Sequence, residues 1–208
     1  ALANVPGSRA ITKDSRLRNI LLYFRVRRHL ALAHVAAYSA IKAVAFGTEV
    51  GIVHQVLLFH ANANPINKLL AWFMDWFWTH SFLRSIQASC DSIGVNYYLH
   101  KKFGDTATYE KTDMGWDVYP EGLCEALHMV KSYHKPIWIS EAGVADATDH
   151  IRADYITRLI RCTHTAIKDG VDVRGFMYWS LLDNYELAQG YSKRFGLVEI
   201  NYETLERK

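Results

Sequence analysis

Three apolar stretches of the chain end in side chains that are typical of sugar-binding sites. Glu141 follows the apolar run 136–140 and stands just before Gly143. The run 92–99, SIGVNYYL, and the run 175–184, GFMYWSLLDN, end among amides, phenols, an indole and carboxylates. These side chains are Asn96, Tyr97 and Tyr98 near the end of the first run, and Trp179, Asp183, Asn184, Tyr185 and Glu186 around the end of the second.

Carboxylates and amides bind sugar hydroxyls through paired hydrogen bonds, and aromatic rings stack on the apolar face of a pyranose. In parallel α/β proteins the functional groups gather at the carboxyl ends of the strands. The three sets therefore predict one sugar-binding site, if the apolar runs are neighbouring parallel strands. Each residue taken alone also fits a structural alternative, as the cap of a loop or one half of an ion pair.

Patterns typical of helices and of strands alternate along the chain. Four segments carry apolar residues at helical spacing, and four apolar runs are continuous enough to be strands buried on both faces. Such alternation is typical of parallel βα units, so the predicted fold class is α/β. The predicted helices cover residues 16–45, 65–86, 120–133 and 149–168, and the predicted strands cover residues 50–59, 92–99, 136–143 and 175–184.

The number of strands limits the architecture. The alternation alone allows either a doubly wound sheet or a (βα) barrel. No GxGxxG motif follows a strand, so a dinucleotide site is not expected. A complete eight-stranded barrel takes about 250 residues, whereas this chain has 208 residues. The sequence therefore predicts a partial (βα)8 TIM barrel, a half barrel of about four βα units, in a single domain over residues 1–208.

The composition excludes several classes of protein. Hydrophobic residues make up 50% of the chain and charged residues 22%, which is ordinary for a globular domain and excludes disorder. A net charge of +3 is too small to indicate nucleic acid or an anionic membrane as a partner. No secretory leader pattern and no window of eighteen apolar residues is present. We therefore expect a soluble protein with no nucleic-acid and no membrane partner.

The spacing of cysteines and histidines indicates neither disulfides nor a metal site. The three cysteines lie far apart without a CxxC pair, which favours a reducing, cytoplasmic location. The ten histidines match no metal-ligand spacing, so no metal and no cofactor are expected. The cysteines are Cys90, Cys124 and Cys162.

Two further clusters fit structural explanations best. The arginines of the first predicted helix are expected to form a solvated helix face, because no groove-reading motif accompanies them. The stretch 69–78, LLAWFMDWFW, is too short to span a bilayer and is expected to be a buried helix or the wall of a pocket. The arginines are Arg16, Arg18, Arg25, Arg27 and Arg28.

Five motifs carry a resemblance to a known family. In chain order they are IGVNYY (93–98), GWDVYPEGL (115–123), PIWISEAGVAD (136–146), AIKDGVDVRGFMYWSLLDNYE (166–186) and GYSKRFGLVEINYETLER (190–207). They resemble the C-terminal half of glycoside hydrolase family 1, the retaining β-glucosidases and β-galactosidases. The resemblance continues upstream through LALAHVAAYSAIK (30–42) and so covers nearly the whole chain.

The resemblance implies a (βα)8 barrel that hydrolyses β-linked glycosides with two carboxylates and retention of configuration. Glu141 matches the nucleophile, which attacks the anomeric carbon to form a covalent glycosyl-enzyme. Tyr98 matches the phenol that hydrogen-bonds this carboxylate, and Asn96 matches an amide that helps to order the site. The expected substrate-binding residues are Trp179, which matches the indole beneath the sugar, Glu186, which matches a carboxylate that binds outer hydroxyls, and Asn184.

Several departures from the family pattern limit the expected activity. The family's general acid/base lies in an Asn-Glu-Pro motif, and this chain contains none. The sugar-binding residues of the first three strands are also missing, and the chain stops where the family continues into its final helix. Within the motifs, Ala142 replaces an Asn and Leu187 replaces a Trp. Natural glycosides are therefore expected to be poor substrates, because departure of their leaving group is unassisted.

Three functions stay open on the sequence alone. The first is a β-glycosidase fragment that carries the nucleophile, acts on β-linked sugars or on aryl and alkyl glycosides, and has weak or no activity alone. The second is a catalytically inactive sugar-binding protein or scaffold. The third is an assembly module, whose open barrel edges pair with a second copy or with a complementary N-terminal half barrel.

Overall fold

Helices and parallel strands alternate in the structure, as the sequence predicts. The computed structural model describes residues 16–208, with side chains from residue 20 onward. The helices are α1 (Arg16–Val44), α2 (Pro65–Asp75), α3 (Ser81–Ile86), α4 (Gly122–Lys131) and α5 (Arg152–Lys168). The strands are β1 (Gly51–Gln55), β2 (Leu58–Ala61), β3 (Ser92–Tyr97), β4 (His100–Phe103), β5 (Ile137–Ala142) and β6 (Val173–Tyr178).

Four of the strands form the main sheet. Its order is β1, β3, β5, β6, and every neighbouring pair is parallel. Strands β2 and β4, which follow β1 and β3 in the chain, pair with each other in a second, parallel sheet of two strands. Helix α4 contacts β3 and β5, and α5 contacts α4 and β6. The described part of the chain is therefore an α/β structure with helices packed on a parallel sheet.

The core lies between the two central strands and the helices α4 and α5. Val95 of β3 and Ile137 and Ile139 of β5 are fully buried, as are Leu127 of α4 and Leu159 of α5. Central strands have a hydrogen-bonded neighbour on each side and helices over one face, so their apolar residues are removed from water. The strands predicted over 92–99 and 136–143 are confirmed, with slightly shorter bounds.

The prediction of one strand over 50–59, buried on both faces, is wrong. Residues Gly51–Gln55 form β1, whose alternate residues are exposed, whereas Leu58–Ala61 form β2 of the second sheet. Among the described residues, β1 pairs in the main sheet only with β3, and Val53 is 55% exposed. An apolar run shows that a segment can be buried, but its exposure depends on the neighbours that cover it.

The strand predicted over 175–184 is also shorter in the structure, since β6 ends at Tyr178. Asp183 belongs to a loop, where its buried carboxylate accepts the backbone N–H of Gly196 (2.9 Å). A carboxylate that satisfies a backbone group 13 residues away requires a turn of the chain rather than a straight strand. The apolar residues beyond β6 therefore line loops.

The helix predicted over 65–86 is interrupted. Helix α2 ends at Asp75, a π-helical turn covers Trp76–His80, and α3 begins at Ser81. A π turn inserts one extra residue per turn while apolar side chains continue around it, so helical spacing in the sequence does not reveal the break. The other two predicted helices are confirmed, although they begin at Gly122 and Arg152 rather than at 120 and 149.

The aromatic stretch 69–78 is mostly exposed, so the expectation of a buried helix is wrong. Trp72 is 64% exposed and Phe73 is 45% exposed, and Ala71 is the buried residue of α2. The expectation of a pocket wall holds for Trp78, which lines an apolar cavity of about 320 Å³ between α1 and β1. Within residues 16–208, no helix combines the length and the apolar character that a membrane crossing requires.

The arginines of α1 are expected to form a solvated face, and two of the three whose side chains the structure describes do so. Arg25 and Arg28 are exposed. Arg27 is half-buried and donates a hydrogen bond to the serine that begins α3 (2.5 Å). The side chains of Arg16 and Arg18 lie outside the described part. The helix itself is unbroken over 29 residues, which confirms the prediction for 16–45.

Candidate active site

A cavity of about 620 Å³ opens at the carboxyl ends of the main sheet. Its wall is formed by residues at or just after the ends of β1, β3, β5 and β6, because parallel strands present their carboxyl ends on one edge. The structure brings all six predicted site residues to this wall, and their chemical roles stay predictions. They are Asn96, Tyr98, Glu141, Trp179, Asn184 and Glu186.

Glu141 is oriented by a phenol that directly follows the neighbouring strand β3. The hydroxyl of Tyr98 donates a hydrogen bond to Glu141 Oε2 (2.7 Å). Burial, and then this hydrogen bond, raise the pKa of Tyr98, so the phenol keeps its proton and acts as the donor. The parallel register sets Asn96 opposite Glu141, and Ser140 Oγ donates to Asn96 Oδ1 (2.7 Å). The end of β5 is therefore tied to the end of β3 through the side chains of Glu141 and the adjacent Ser140.

Glu186 is the second carboxylate of the wall. Burial, and then the negative charge of Glu141, raise the pKa of Glu186. Glu141 disfavours ionisation of Glu186, because like charges that line one cavity repel each other. The site thus combines a carboxylate that a phenol binds with a second carboxylate that binds protons more tightly than usual.

The raised pKa predicts how a Glu186→Gln variant responds to pH. The folded protein binds a proton at Glu186 more tightly than the unfolded chain, so the ionised carboxylate costs stability above the unfolded pKa of about 4.3. We expect the variant to melt at a higher temperature than the wild type at pH 7, with the advantage disappearing near pH 4. Circular dichroism melts at both pH values measure this. A Glu203→Gln variant controls for loss of one surface charge, and an advantage that persists at pH 4 would contradict the prediction.

The segment after β6 supplies the aromatic and amide part of the site. Trp179 reaches back to β5, since its backbone N–H donates to the Ala142 carbonyl oxygen (3.0 Å). The side-chain amide of Asn184 donates to Ser180 Oγ (3.0 Å) and to the carbonyl oxygen of Leu182 (3.3 Å). Asn184 therefore holds its own loop in shape, in addition to the sugar contact that the sequence predicts for it.

Gly143 permits the close approach of β5 and Trp179. A Cβ atom at Gly143 would stand 1.8 Å from the Trp179 carbonyl oxygen, a distance that forces the backbone to move. We expect Gly143→Ala to lower the free energy of unfolding by about 1–3 kcal/mol, the usual cost of overpacking. Urea denaturation measures the change. Gly47→Ala is the matched control, because no atom lies within 4 Å of a Cβ at that position. Equal stability of the two variants would refute the steric argument.

Sequence reasoning missed five residues of the wall. The rings of Trp116 and Phe195 pack against Tyr98, with centroids 5.8 Å and 6.1 Å away. Gln55 ends β1 and lies opposite Asn96 of β3, so the same search for polar residues near strand ends would have found it. Trp116 and Phe195 stand on loops inside the family motifs 115–123 and 190–207, although no site role is predicted for them. The five are Gln55, Met114, Trp116, Ala188 and Phe195.

One comparison with known proteins decides the family. The sequence model of glycosyl hydrolase family 1 matches residues 68–208, a stretch that contains every predicted site residue. The chain belongs to glycosyl hydrolase family 1. The resemblance inferred from the five motifs is thereby confirmed.

Curated family 1 relatives match the chain over part of their length. Beta-glucosidase A of Acetivibrio thermocellus is 47% identical over 48% of this chain and 25% of its own. The beta-galactosidase of Sulfolobus acidocaldarius is 31% identical over 83% of this chain and 42% of its own. The chain therefore spans less than half the length of these two relatives.

Solved structures of family 1 share the fold. The beta-glycosidase from Pyrococcus horikoshii has a TM-score of 0.80 and 33% identity, over 89% of this chain and 50% of its own. The family 1 beta-glucosidase from Thermotoga maritima has a TM-score of 0.79 and 28% identity, over 88% of this chain and 53% of its own. The prediction of a partial TIM barrel is thus confirmed, since nearly the whole chain superposes on about half of a family 1 enzyme.

Proposed function

We propose that this chain supplies the nucleophile half of a retaining β-glycosidase site, with Glu141 as the nucleophile. The observation that carries the proposal is the hydrogen bond from Tyr98 to Glu141 (2.7 Å), in a cavity that Trp179 and Glu186 also line. A carboxylate that is fixed in direction and faces a cavity of sugar size is suited to attack an anomeric carbon. Membership of family 1 supports the same reading.

The proposed chemistry proceeds in two displacements. Glu141 attacks the anomeric carbon of a β-glycoside, the bond to the leaving oxygen breaks, and a covalent glycosyl-enzyme forms. Water then attacks the same carbon and loses a proton to the solvent, while the bond between Glu141 and the sugar breaks, so the sugar leaves with retained configuration and the carboxylate is restored. Trp179 stacks beneath the ring, and Glu186 and Asn184 bind outer hydroxyls. Because this chain has no Asn-Glu-Pro motif, it lacks the proton donor, which forfeits about 10²- to 10⁴-fold in rate with ordinary glycosides.

The proposal includes a partner and a location. Among the described residues, β1 and β6 each pair with a single strand of the main sheet, so a complementary N-terminal half barrel or a second copy fits along those two edges. The three cysteines are unpaired thiols, which supports a reducing, cytoplasmic location.

Covalent labelling tests the proposal. The chain is incubated with an activated 2-fluoro β-glycoside, whose good leaving group needs no acid and whose fluorine slows hydrolysis of the adduct. We expect a stoichiometric increase of intact mass that maps to Glu141 by peptide sequencing, and no increase for Glu141→Gln. Circular dichroism shows whether both proteins are folded. A folded wild type that takes up no label would overturn the proposal for this chain.

A second candidate is a sugar-binding protein without turnover. Leu187, which replaces a Trp of the family, is 73% exposed beside Glu186. Among the described residues of the wall, Glu141 and Glu186 are the only carboxylates. Such a site offers binding groups but no separate proton donor. Saturable binding of a β-glycoside, observed by titration calorimetry together with no labelling, would favour this candidate over the enzyme.

A further inference from the structure

Two histidines and two carboxylates form one chain of hydrogen bonds across the second sheet, outside the wall of the candidate active site. His60 of β2 and His100 of β4 face each other, with their Nδ1 atoms 2.9 Å apart. His60 Nε2 lies 2.9 Å from Glu125 Oε2 of α4. His100 Nε2 lies 2.9 Å from Asp117 Oδ2. This series of hydrogen bonds therefore joins α4, both strands of the second sheet and the segment that carries Asp117.

The carboxylates at the two ends are acceptors. Burial works to raise the pKa of Asp117, but hydrogen bonds from Lys111, Lys102 and His100 outweigh it and bring the pKa to about 2. The pKa of Glu125 is also lowered, because hydrogen bonds from His60 and Tyr119 outweigh its burial. Both groups are therefore ionised near neutral pH, and each Nε2 atom that faces one must carry a proton to make its bond.

The contact between the two Nδ1 atoms then determines how many protons the rings of His60 and His100 carry together. If both Nδ1 atoms are bare, two lone pairs face each other at 2.9 Å, and if both carry protons, two N–H groups collide. Only a single proton between them makes a hydrogen bond. The pair therefore completes all three bonds with three protons on its four ring nitrogens, which gives it one positive charge in total.

The surroundings indicate which ring holds the charge. The hydrogen bond that His60 donates to Glu125 is the largest influence on His60 and raises its pKa. Burial is the largest influence on His100 and lowers its pKa, and its side chain is fully inaccessible to water. The charge therefore belongs on His60, and His100 accepts the shared proton. The groups that face the pair are Glu125 of α4, Asp75 of α2, Asp105, Asp117, Lys102, Lys111 and the rings of Tyr109 and Tyr119.

We propose that His60 and His100 hold one shared proton and act as a pH-sensitive clamp that fastens the second sheet to α4 and to the segment around Asp117. Trp116, which lines the candidate active site, precedes Asp117 directly, so the clamp also positions that wall. A second proton on the pair at low pH, or loss of the single proton at high pH, breaks the central bond and releases the clamp.

The sign of the pH dependence follows from the proton count. The folded pair binds one proton, whereas the same two side chains in the unfolded chain bind two at low pH, one near their ordinary pKa of about 6.5, and none at high pH. Stability from the pair is therefore greatest near pH 6.5. The ratio of folded to unfolded protein, taken relative to a variant without the pair, falls by up to about eightfold at pH 5 and again at pH 8.

Nitrogen-15 NMR of the histidine rings tests the proton count directly. We expect three protonated ring nitrogens and one bare Nδ1 in the pair, unchanged between about pH 5.5 and pH 7.5, while the urea-unfolded chain titrates through this range. His60→Gln and His100→Gln assign the signals. Two bare Nδ1 atoms at pH 6.5, or a single ordinary transition for both rings, would overturn the proposal. This measurement needs only the wild type to be folded.

Urea denaturation from pH 5 to pH 8 tests the clamp. The stability difference between the wild type and the double variant His60→Gln, His100→Gln is expected to trace a bell with its maximum near pH 6.5. His128→Gln is the matched control, because His128 lies on α4 and pairs with one carboxylate, Asp169 (3.0 Å), without a second imidazole. A flat difference, or a difference that rises or falls in one direction only between pH 5 and pH 8, would refute the clamp. Neither result depends on glycosidase activity.

Discussion

An Arg152→Met variant is expected to lose about 3–5 kcal/mol of unfolding free energy, because each buried acceptor that it leaves without a donor costs about 1–3 kcal/mol. Arg152 begins α5 and is 6% exposed. Its guanidinium donates to the carbonyl oxygens of Val144 (2.9 Å) and Phe195 (3.1 Å) and to the hydroxyl of Tyr178 (3.0 Å). It also forms an ion pair with Asp149.

These bonds join three parts of the chain that are distant in sequence. Val144 follows β5, Tyr178 ends β6, and Phe195 belongs to the returning segment that lines the candidate active site. Methionine keeps most of the apolar stem of Arg152 but provides no donor, so the buried Val144 carbonyl loses the donor that Arg152 supplies, and the Phe195 carbonyl keeps only the backbone N–H of Ser180 (3.1 Å). The loss is therefore expected to loosen the cavity wall as well as the fold.

Urea denaturation of the two proteins measures the loss. Arg158→Met is the matched control, since Arg158 lies on the same helix and pairs with Glu121 and Asp154 near the surface. Such partly exposed ion pairs contribute about 0–1 kcal/mol. Equal losses of unfolding free energy for the two variants would show that the buried hydrogen bonds of Arg152 stabilise the fold no more than the surface ion pairs of Arg158.

A Tyr98→Phe variant is expected to be labelled by the activated 2-fluoro β-glycoside about 10- to 100-fold more slowly than the wild type. A hydrogen bond to a charged group contributes about 1.5–3 kcal/mol, and each 1.4 kcal/mol in a barrier is a factor of ten in rate. Without the phenol, Glu141 loses the donor that fixes its direction at 2.7 Å, and the carboxylate must be reoriented before it attacks. The rings of Trp116 and Phe195 still contact the phenyl ring, so the fold is expected to be kept.

The rate of mass increase at fixed reagent concentration measures the effect. Tyr185→Phe is the control, because Tyr185 lines the same cavity and is 56% exposed, and its loss is expected to change the rate by less than about threefold. A Tyr98→Phe variant that labels at the wild-type rate would show that Glu141 does not depend on its phenol for direction.

The candidate site could be predicted because its signal is local. Glu141, Asn96 and Tyr98 interrupt apolar runs at the point where a strand ends, and parallel strands bring their ends to one edge of the sheet. This inference does not require the order or the register of the strands. It requires only that the strands are parallel, which their alternation with helices indicates. The family motifs lie in the same stretches, so both lines of reasoning lead to one cavity.

The pattern of apolar residues, at helical spacing in some segments and continuous in others, likewise predicted the central part of the fold. The strands around Val95 and Ile139 and the helices α4 and α5 are buried as their patterns indicate, because each of them is covered by other elements of the described chain. The same kind of pattern misled for β1, where Val53 is exposed. A run of apolar residues indicates that a segment can be buried. Whether it is buried depends on the elements that pack against it.

The supports of the site come from contacts that no local pattern encodes. Arg152 meets Phe195, 43 residues away, and His60 meets His100, 40 residues away, by folding of the chain rather than by spacing along it. An arginine at the start of a helix or a histidine in a strand looks ordinary in the sequence. Its charge, its proton and its partners are set by the low dielectric and by the groups that tertiary structure gathers around it.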